Sequence, residues 1–578
     1  MSCVTGGLRF CPITGKTFFV FPARSISPIY RHDGTDTERK TKTMKKMKKI
    51  TSMLLALLLA LGMLASCGGS EDEIKEEAGD QQQTEQQPEE KPEEKDEEPA
   101  KQAHADSIVF AVKDEPPTLN PYDHASVVSG YMNQLTFNSL FTIDLDTLQP
   151  IPDLVDTYEN IDDVTWNFKL KEGIKFHDGT DLTAEDVKAS LEFSREFVSS
   201  TQYNSFWTEV KVVDDLNFTI ITDGPYAKIL DDLASNCNSI VPSELIASGN
   251  DFNTNPIGSG PYKFTHWELG DHLTFVKNEE YFDKDHMPTI TDMTWRIIPE
   301  GSSRTIALET GEVDVVVDVE SNDVERIREA EGLELQEVEG LRVAFFALNM
   351  ENPMFADAKV RRAINSLIDK EAIVQVAVNG QGVASVSMDP APYAGVTQEN
   401  GAIFDKDAAM KLFDEAGVDP STLKFSVICF DDTTRRTAEV LQGMLQEAGI
   451  TMEIESLDFA AWLERYLAGD FEASLGGFSS SNVLTYMKGL WHTSTIGATN
   501  GSRISVPELD ALIEKALITL DEGERTAVVT EISKMVNELN PFIPLYTSTV
   551  IRAYDSDLQG LKVSSSGRIY WSDLHWGE

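Results

Sequence analysis

The sequence predicts an α/β protein of more than one domain, on three observations. Its 578 residues exceed what one hydrophobic core usually organises, since domains run to roughly 150 residues. Hydrophobic residues make up 41% and aromatics 9%, which suits large cores and excludes a disordered or collagen-like chain. In the second half, strand and helix periodicities alternate. Phe425–Phe430 reads as a buried strand, Ala438, Leu441, Leu445 and Ala448 form a helical stripe closed by Gly449, and Met452–Ile454 restarts a strand. That order is βαβ, for which parallel pairing is expected.

Charge and cysteine usage remove several function classes. There are 49 basic and 96 acidic residues, a formal charge of −47, and a field of that sign repels phosphate backbones. Nucleic acid is therefore not an expected partner. Cys3, Cys11, Cys67, Cys237 and Cys429 contain no CxxC pair, so neither a zinc site nor a thiol redox site is expected. The histidines lack paired spacing, and no metal site is assigned. No GxSxG, HExxH or Cys/His arrangement occurs, so no catalytic residue or cofactor is expected.

At the amino end, Lys45, Lys46, Lys48 and Lys49 precede an apolar run from Met53 to Leu64. A dozen apolar residues are too few to cross a bilayer but suit the core of an export signal. Residues 44–66 are read as that signal, and 1–43 as an extension ahead of a true start at Met44 or Met47. Ala65-Ser66-Cys67 resembles the lipobox of bacterial lipoproteins, which implies cleavage before Cys67 and a lipid on its sulfur. Residues 67–105 are read as an acidic, solvated tether, because 71–100 holds 14 acidic residues against three lysines and has almost nothing apolar to offset chain entropy.

The folded body begins near Asp106. Ile108–Val112 is a buried strand run stopped by Pro116-Pro117. Trp166, Phe168 and Leu170 alternate with polar residues, Glu172-Gly173 turns, and Ile174 and Phe176 alternate again, which predicts a β-hairpin. His177 in the turn 176–179 is read as structural. Thr183 and Asp186 predict a capping box opening a helix through Val187, Leu191 and Phe193. Asn255–Tyr262 is a glycine and proline loop without the Lys-Ser or Lys-Thr pair of a phosphate loop. Arg342–Met350 reads as a strand, and Lys359 to about Val378 as one helix with Val360, Ala363, Ile364, Leu367 and Ile368 on one side.

Nine segments taken in order resemble the family 5 extracytoplasmic solute-binding proteins of ABC importers, the oligopeptide, dipeptide and nickel binding group. They are TLNP at 118–121, WNFKLKEGIKFHDGTDLTAEDV at 166–187, NPIGSGPY at 255–262, RTIALETGEVDV at 304–315, and LNMENPMFADAKVRRAINSLIDKEAIV at 348–374. The others are DKDAAMKLFDEAG at 405–417, AEVLQGMLQEAGI at 438–450, PELDALIEKALITLDEGERTAVVTEI at 507–532 and NPFIPLY at 540–546. The resemblance implies a two-lobe fold like that of the type II, cluster C periplasmic binding proteins. Lobe I would comprise 106–340 and 547–578 with an extra subdomain near 143–255, and lobe II would comprise 341–546. Arg342–Asn349 and Pro541–Tyr546 would be the crossings. It also implies a monomeric, extracytoplasmic carrier, lipid-anchored through Cys67, that captures a peptide-like solute for an ABC permease and ATPase.

By the same resemblance, solute contacts would come from Asn120 and Tyr122 after the first strand, Tyr262 beyond the GSGPY loop, and Gly477, Phe478, Ser479, Ser480 and Ser481. Peptide binders of the family carry a tryptophan and, three residues on, an aspartate that meets the α-ammonium group. This chain has Phe478 and Ser481 there, which puts free-amine peptides in question. Asp470 or Glu472 would be substitutes, or solvent-facing turn residues. Trp491 and His492 are further candidates, with core packing the alternative reading of the tryptophan. Cys237 and Cys429 would be buried thiols in different lobes.

Overall fold

The first strand forms where the apolar run places it, at Ser107–Val112, with its last three residues fully enclosed. The computed structural model describes residues 106–123 and 126–577. The readings for 1–105, including the signal segment, Cys67 and the tether, lie outside the described residues.

One mixed sheet of eleven strands dominates, and its order shows how the chain is organised. On one flank, Ser107–Val112 lies parallel to Asp292–Ile297 and Val315–Val316, and the flank is extended by His272–Lys277 and Tyr262–Glu268. On the other flank, Lys424–Cys429 lies parallel to both Thr451–Ser456 and Ala473–Phe478. That is the βαβ unit expected from the sequence, with the helix Asp432–Glu447 between its strands. Two long antiparallel strands, Leu333–Leu348 and Phe542–Asp555, join the flanks. Each flank has its own apolar cluster, one around Phe110, Phe275, Trp295 and Trp571, the other around Phe346, Ile364, Phe413, Phe425 and Leu441.

A separate four-stranded antiparallel sheet holds Val155–Asn160, Thr165–Leu170, Asn217–Thr222 and Trp207–Val212. Here the hairpin expectation fails. Thr165–Leu170 pairs with Val155–Asn160 and Asn217–Thr222, while Lys175 makes only an isolated bridge to Asp181. The alternation was real, but long-range partners outcompeted the local turn. The single helix read over 359–378 is also two, Ala358–Ser366 and Lys370–Ala377. Asp369 interrupts it by accepting a hydrogen bond from Ala372 N at 3.1 Å, a helix start inside an otherwise continuous pattern.

The capping box at Thr183 is present. The Asp186 carboxylate accepts from Thr183 N at 2.8 Å and Oγ1 at 2.9 Å, opening the helix Ala184–Ser194. The 255–262 loop is a packing device. His177 Nε2 lies 3.0 Å from Gly260 O, and burial pushes this imidazole down to about 4. A Cβ on Gly260 would lie 2.4 Å from Leu135 O and 2.6 Å from Thr136 C, both backbone atoms that cannot swing aside. Gly260→Ala is therefore expected to destabilise the body by about 2–3 kcal/mol, measured as a lower urea midpoint at unchanged slope.

Candidate functional site

The two joining strands are out of step where they pass from one flank to the other. Glu339 pairs with Thr549 and Val343 with Thr547, so Gly340, Leu341 and Arg342 stand against Ser548 alone. Such a bulge re-aims side chains. Gly340 permits it, since a Cβ there would lie 2.7 Å from Ser548 O. Arg342 leaves the bulge exposed, its guanidinium lying over Gly477, where a Cβ would fall 1.9 Å from Nη1. Among the described residues this guanidinium has no hydrogen-bond or ion-pair partner.

Two cavities, of about 340 and 240 Å³, are both lined by Arg342 and Ser548. The larger is bounded by Val319 and Ser321 on one side and by Asp431–Thr437 on the other. The smaller lies between Ser479–Ser481 and Ser565-Ser566. A third, of about 50 Å³, shares Ser481 and adds Asn482, Tyr393, Asp231 and Arg525. Tyr393 OH donates to Ser480 O, which fixes this stretch. Burial pushes the Asp231 carboxyl up to about 6, opposed by a hydrogen bond from Asn482. No histidine or cysteine lines any of the three. Together the walls present serine and threonine hydroxyls, the Asp431 carboxylate and one guanidinium without a direct partner.

The family model for bacterial extracellular solute-binding proteins, family 5, matches residues 149–498. The chain belongs to that family. Among curated proteins, the glutathione-binding protein GsiB of Escherichia coli K12 is 25% identical over 477 residues, covering 79% of this chain and 92% of GsiB. HbpA2 of Haemophilus parasuis superposes with a TM-score of 0.75 at 22% identity, over 82% of this chain and all of that one. DppA of Helicobacter pylori, solved with the peptide STSA, superposes with a TM-score of 0.67 at 22% identity, over 82% and 98%. The fold is thus the two-lobe α/β fold of periplasmic binding proteins, and the protein is an extracytoplasmic binding protein rather than an enzyme. No helix among the described residues is long and apolar enough to cross a membrane.

In this family 5 protein the residues expected at the solute fall into two groups. Gly477, Ser479, Ser480 and Ser481 lie at or beside the cavities around Arg342. Phe478 is half-buried and turns toward Tyr486, 5.4 Å between ring centroids. The others serve the core or local turns. Tyr122 is fully buried, its OH donating to Ser239 O at 2.8 Å, and Asn120 caps its turn by accepting from Tyr122 N. Tyr262 is fully buried and donates to Ile290 O. Trp491 is enclosed against Phe542, and His492 lies 3.5 Å from Glu514. Asp470 lies beside Arg465, and Glu472 accepts from Ser426 N and Oγ, so both carboxylates are occupied elsewhere. Cys237 and Cys429 are buried thiols.

Sequence reasoning reached Arg342 only as the start of a crossing strand and missed Asp231, Tyr393, Asn482 and Ser565-Ser566. Gly340 was the available signal for Arg342, because a glycine inside a strand marks a bulge. Behind the site, Asp389 is buried with Ser533 Oγ donating to Oδ2 at 2.6 Å and no partner for Oδ1. Burial pushes this carboxyl up to about 6. An unfolded aspartate titrates near 3.9, so ionisation of Asp389 favours the unfolded chain. Its contribution makes stability fall as pH rises from about 4 to about 6. The Asp389→Asn variant is expected to lose that part of the slope in urea unfolding followed across pH.

Proposed function

We propose that this protein captures a peptide or peptide-like solute between two lobes, 106–340 with 547–578 and 341–546, the first carrying a subdomain near 143–255. It hands the solute to the permease and ATPase of an ABC importer while held at the membrane by a lipid on Cys67. The observation that carries this reading is the pair of cavities at the crossing strands, both lined by the unpaired guanidinium of Arg342. A planar fork of donors suits a carboxylate, so Arg342 takes the acid end of the solute. Asp231, which lines the same small cavity as Ser481, supplies the charge for an amino end that position 481 lacks. Two relatives, a glutathione-binding protein and a binding protein solved with the peptide STSA, support a peptide-like solute. A solute touching both lobes favours the closed form because only there are all its contacts made.

The test is a thermal-shift screen of the full chain against tripeptides, glutathione, sugars and metal chelates. Shifts from the peptides are the expected result. Shifts confined to sugars or chelates contradict the peptide reading.

A further inference from the structure

In the subdomain, the turn 144–149 joins the short strands Phe141–Ile143 and Pro150–Pro152. Its backbone closes twice on Asp144, whose N–H donates to Gln149 O at 2.9 Å and whose carbonyl accepts from Leu148 N at 3.0 Å. Asp146 and Thr147 are exposed, yet Leu148 beside them is only 5% exposed. Leu148 also has a φ of 56°, a left-handed backbone that is unfavourable for an ordinary L residue and persists only where the surroundings over-determine it. Glycine or asparagine suits such a position, so the leucine is explained by what its side chain meets.

What it meets belongs to the segment 341–546. Leu148 lines the cavity of about 50 Å³ together with Leu484 and Val529, and all three belong to one apolar cluster. Leu484 sits in the helix Val483–Trp491 and Val529 in Glu522–Leu539. A second contact joins the subdomain to the same segment, from Ala227 N to Leu517 O at 2.9 Å. Leu517 stands in the last turn of the helix Pro507–Ile518, where carbonyls lack an intrahelical donor. The returning tail holds the turn from its other side. Lys562 Nζ lies 2.6 Å from Asp146 Oδ2, and Tyr570 OH donates to Ile143 O at 3.3 Å.

We propose that the turn 144–149 is a latch between the lobes, which buries Leu148 against Leu484 and Val529 when they close; the proposal rests on the division into lobes given above. Opening returns the leucine to water, and this shifts the open-to-closed ratio toward closure by about tenfold. The latch leaves the two forms in comparable populations without solute, so a solute has only the remainder of the closing to drive. It thereby raises affinity by one factor for every solute, without touching any of them.

The experiment compares the full chain with Leu148→Asn and Leu148→Gly, both of which accept the left-handed backbone and remove the apolar anchor. In small-angle scattering without solute, the radius of gyration is expected to rise in both variants while far-ultraviolet circular dichroism stays the same. Whichever tripeptides, glutathione, sugars or chelates bind the parent chain should bind both variants more weakly, by one common factor of roughly five. Asparagine and glycine differ in bulk and polarity, so a fold defect in one variant leaves the other to decide. The proposal is overturned if neither variant expands, if expansion comes only with loss of the dichroism signal, or if the loss of affinity differs from one compound to the next. The scattering comparison contains no solute, so a failure of the peptide reading in the thermal-shift screen leaves its result standing.

Discussion

Arg342→Gln is expected to weaken binding of a peptide acid roughly thirtyfold to a hundredfold and to leave binding of the matching peptide amide nearly unchanged. A charge-assisted, bidentate contact is the strongest polar interaction this site offers, and glutamine keeps bulk and polarity while removing the charge. The side chain is exposed and makes no bond to the described protein, so the melting temperature of the unliganded chain should not move. Gly477→Ala provides an independent route to the same end. The added Cβ would fall 1.9 Å from Nη1, and the flexible guanidinium, not backbone, must give way. Affinity for the acid should fall in this variant too, with little loss of stability. Calorimetric titration with an acid and amide pair checks both. Equal affinities for acid and amide in the unaltered protein would remove Arg342 from the site.

Arg361→Met is expected to cost about 4 kcal/mol of stability, from the loss of several buried hydrogen bonds. Arg361 sits in the helix Ala358–Ser366 and is 1% exposed. Its guanidinium donates to Phe355 O at 2.8 Å, Ala356 O at 2.9 Å and Asn540 O at 3.1 Å, and also to Leu539 O. Burial pulls it down to about 10, so it stays charged at neutral pH. It ties one helix to the end of another, Glu522–Leu539, at the point where Asn540 turns the chain into the crossing strand Phe542–Asp555. Methionine fills similar space but leaves four carbonyls without their donor. Lysine should rescue only part of the loss, because a single ammonium does not reproduce the fork. Urea unfolding of the three proteins measures the difference.

How much of this was legible in the sequence depends on the range of the interaction. The helix start at Thr183, the βαβ unit at 424–456 and the strand at 107–112 follow from local patterns and were readable. The partner of Thr165–Leu170 was not, because strand alternation names a face and not a neighbour. Arg361 was invisible for a related reason. In a helical pattern a charge reads as a solvated face, and only the tertiary position of four carbonyls makes burial favourable. The site divided in the same way. The stretch 477–481 lies beside the crossing strands, whereas Tyr122, Tyr262 and Trp491 are large side chains enclosed by the core. Arg342 depended on a bulge that pairs three residues with one, a feature that exists only once both strands are in place.

Small-angle scattering of the full chain tests most directly whether two lobes close around a solute. With a peptide identified by thermal shift, the radius of gyration is expected to fall as melting temperature rises, both saturating at the same peptide concentration. Contacts such as Ala227 N to Leu517 O, 2.9 Å apart, would then be more protected from hydrogen exchange. A rise in melting temperature with an unchanged radius of gyration would contradict closure.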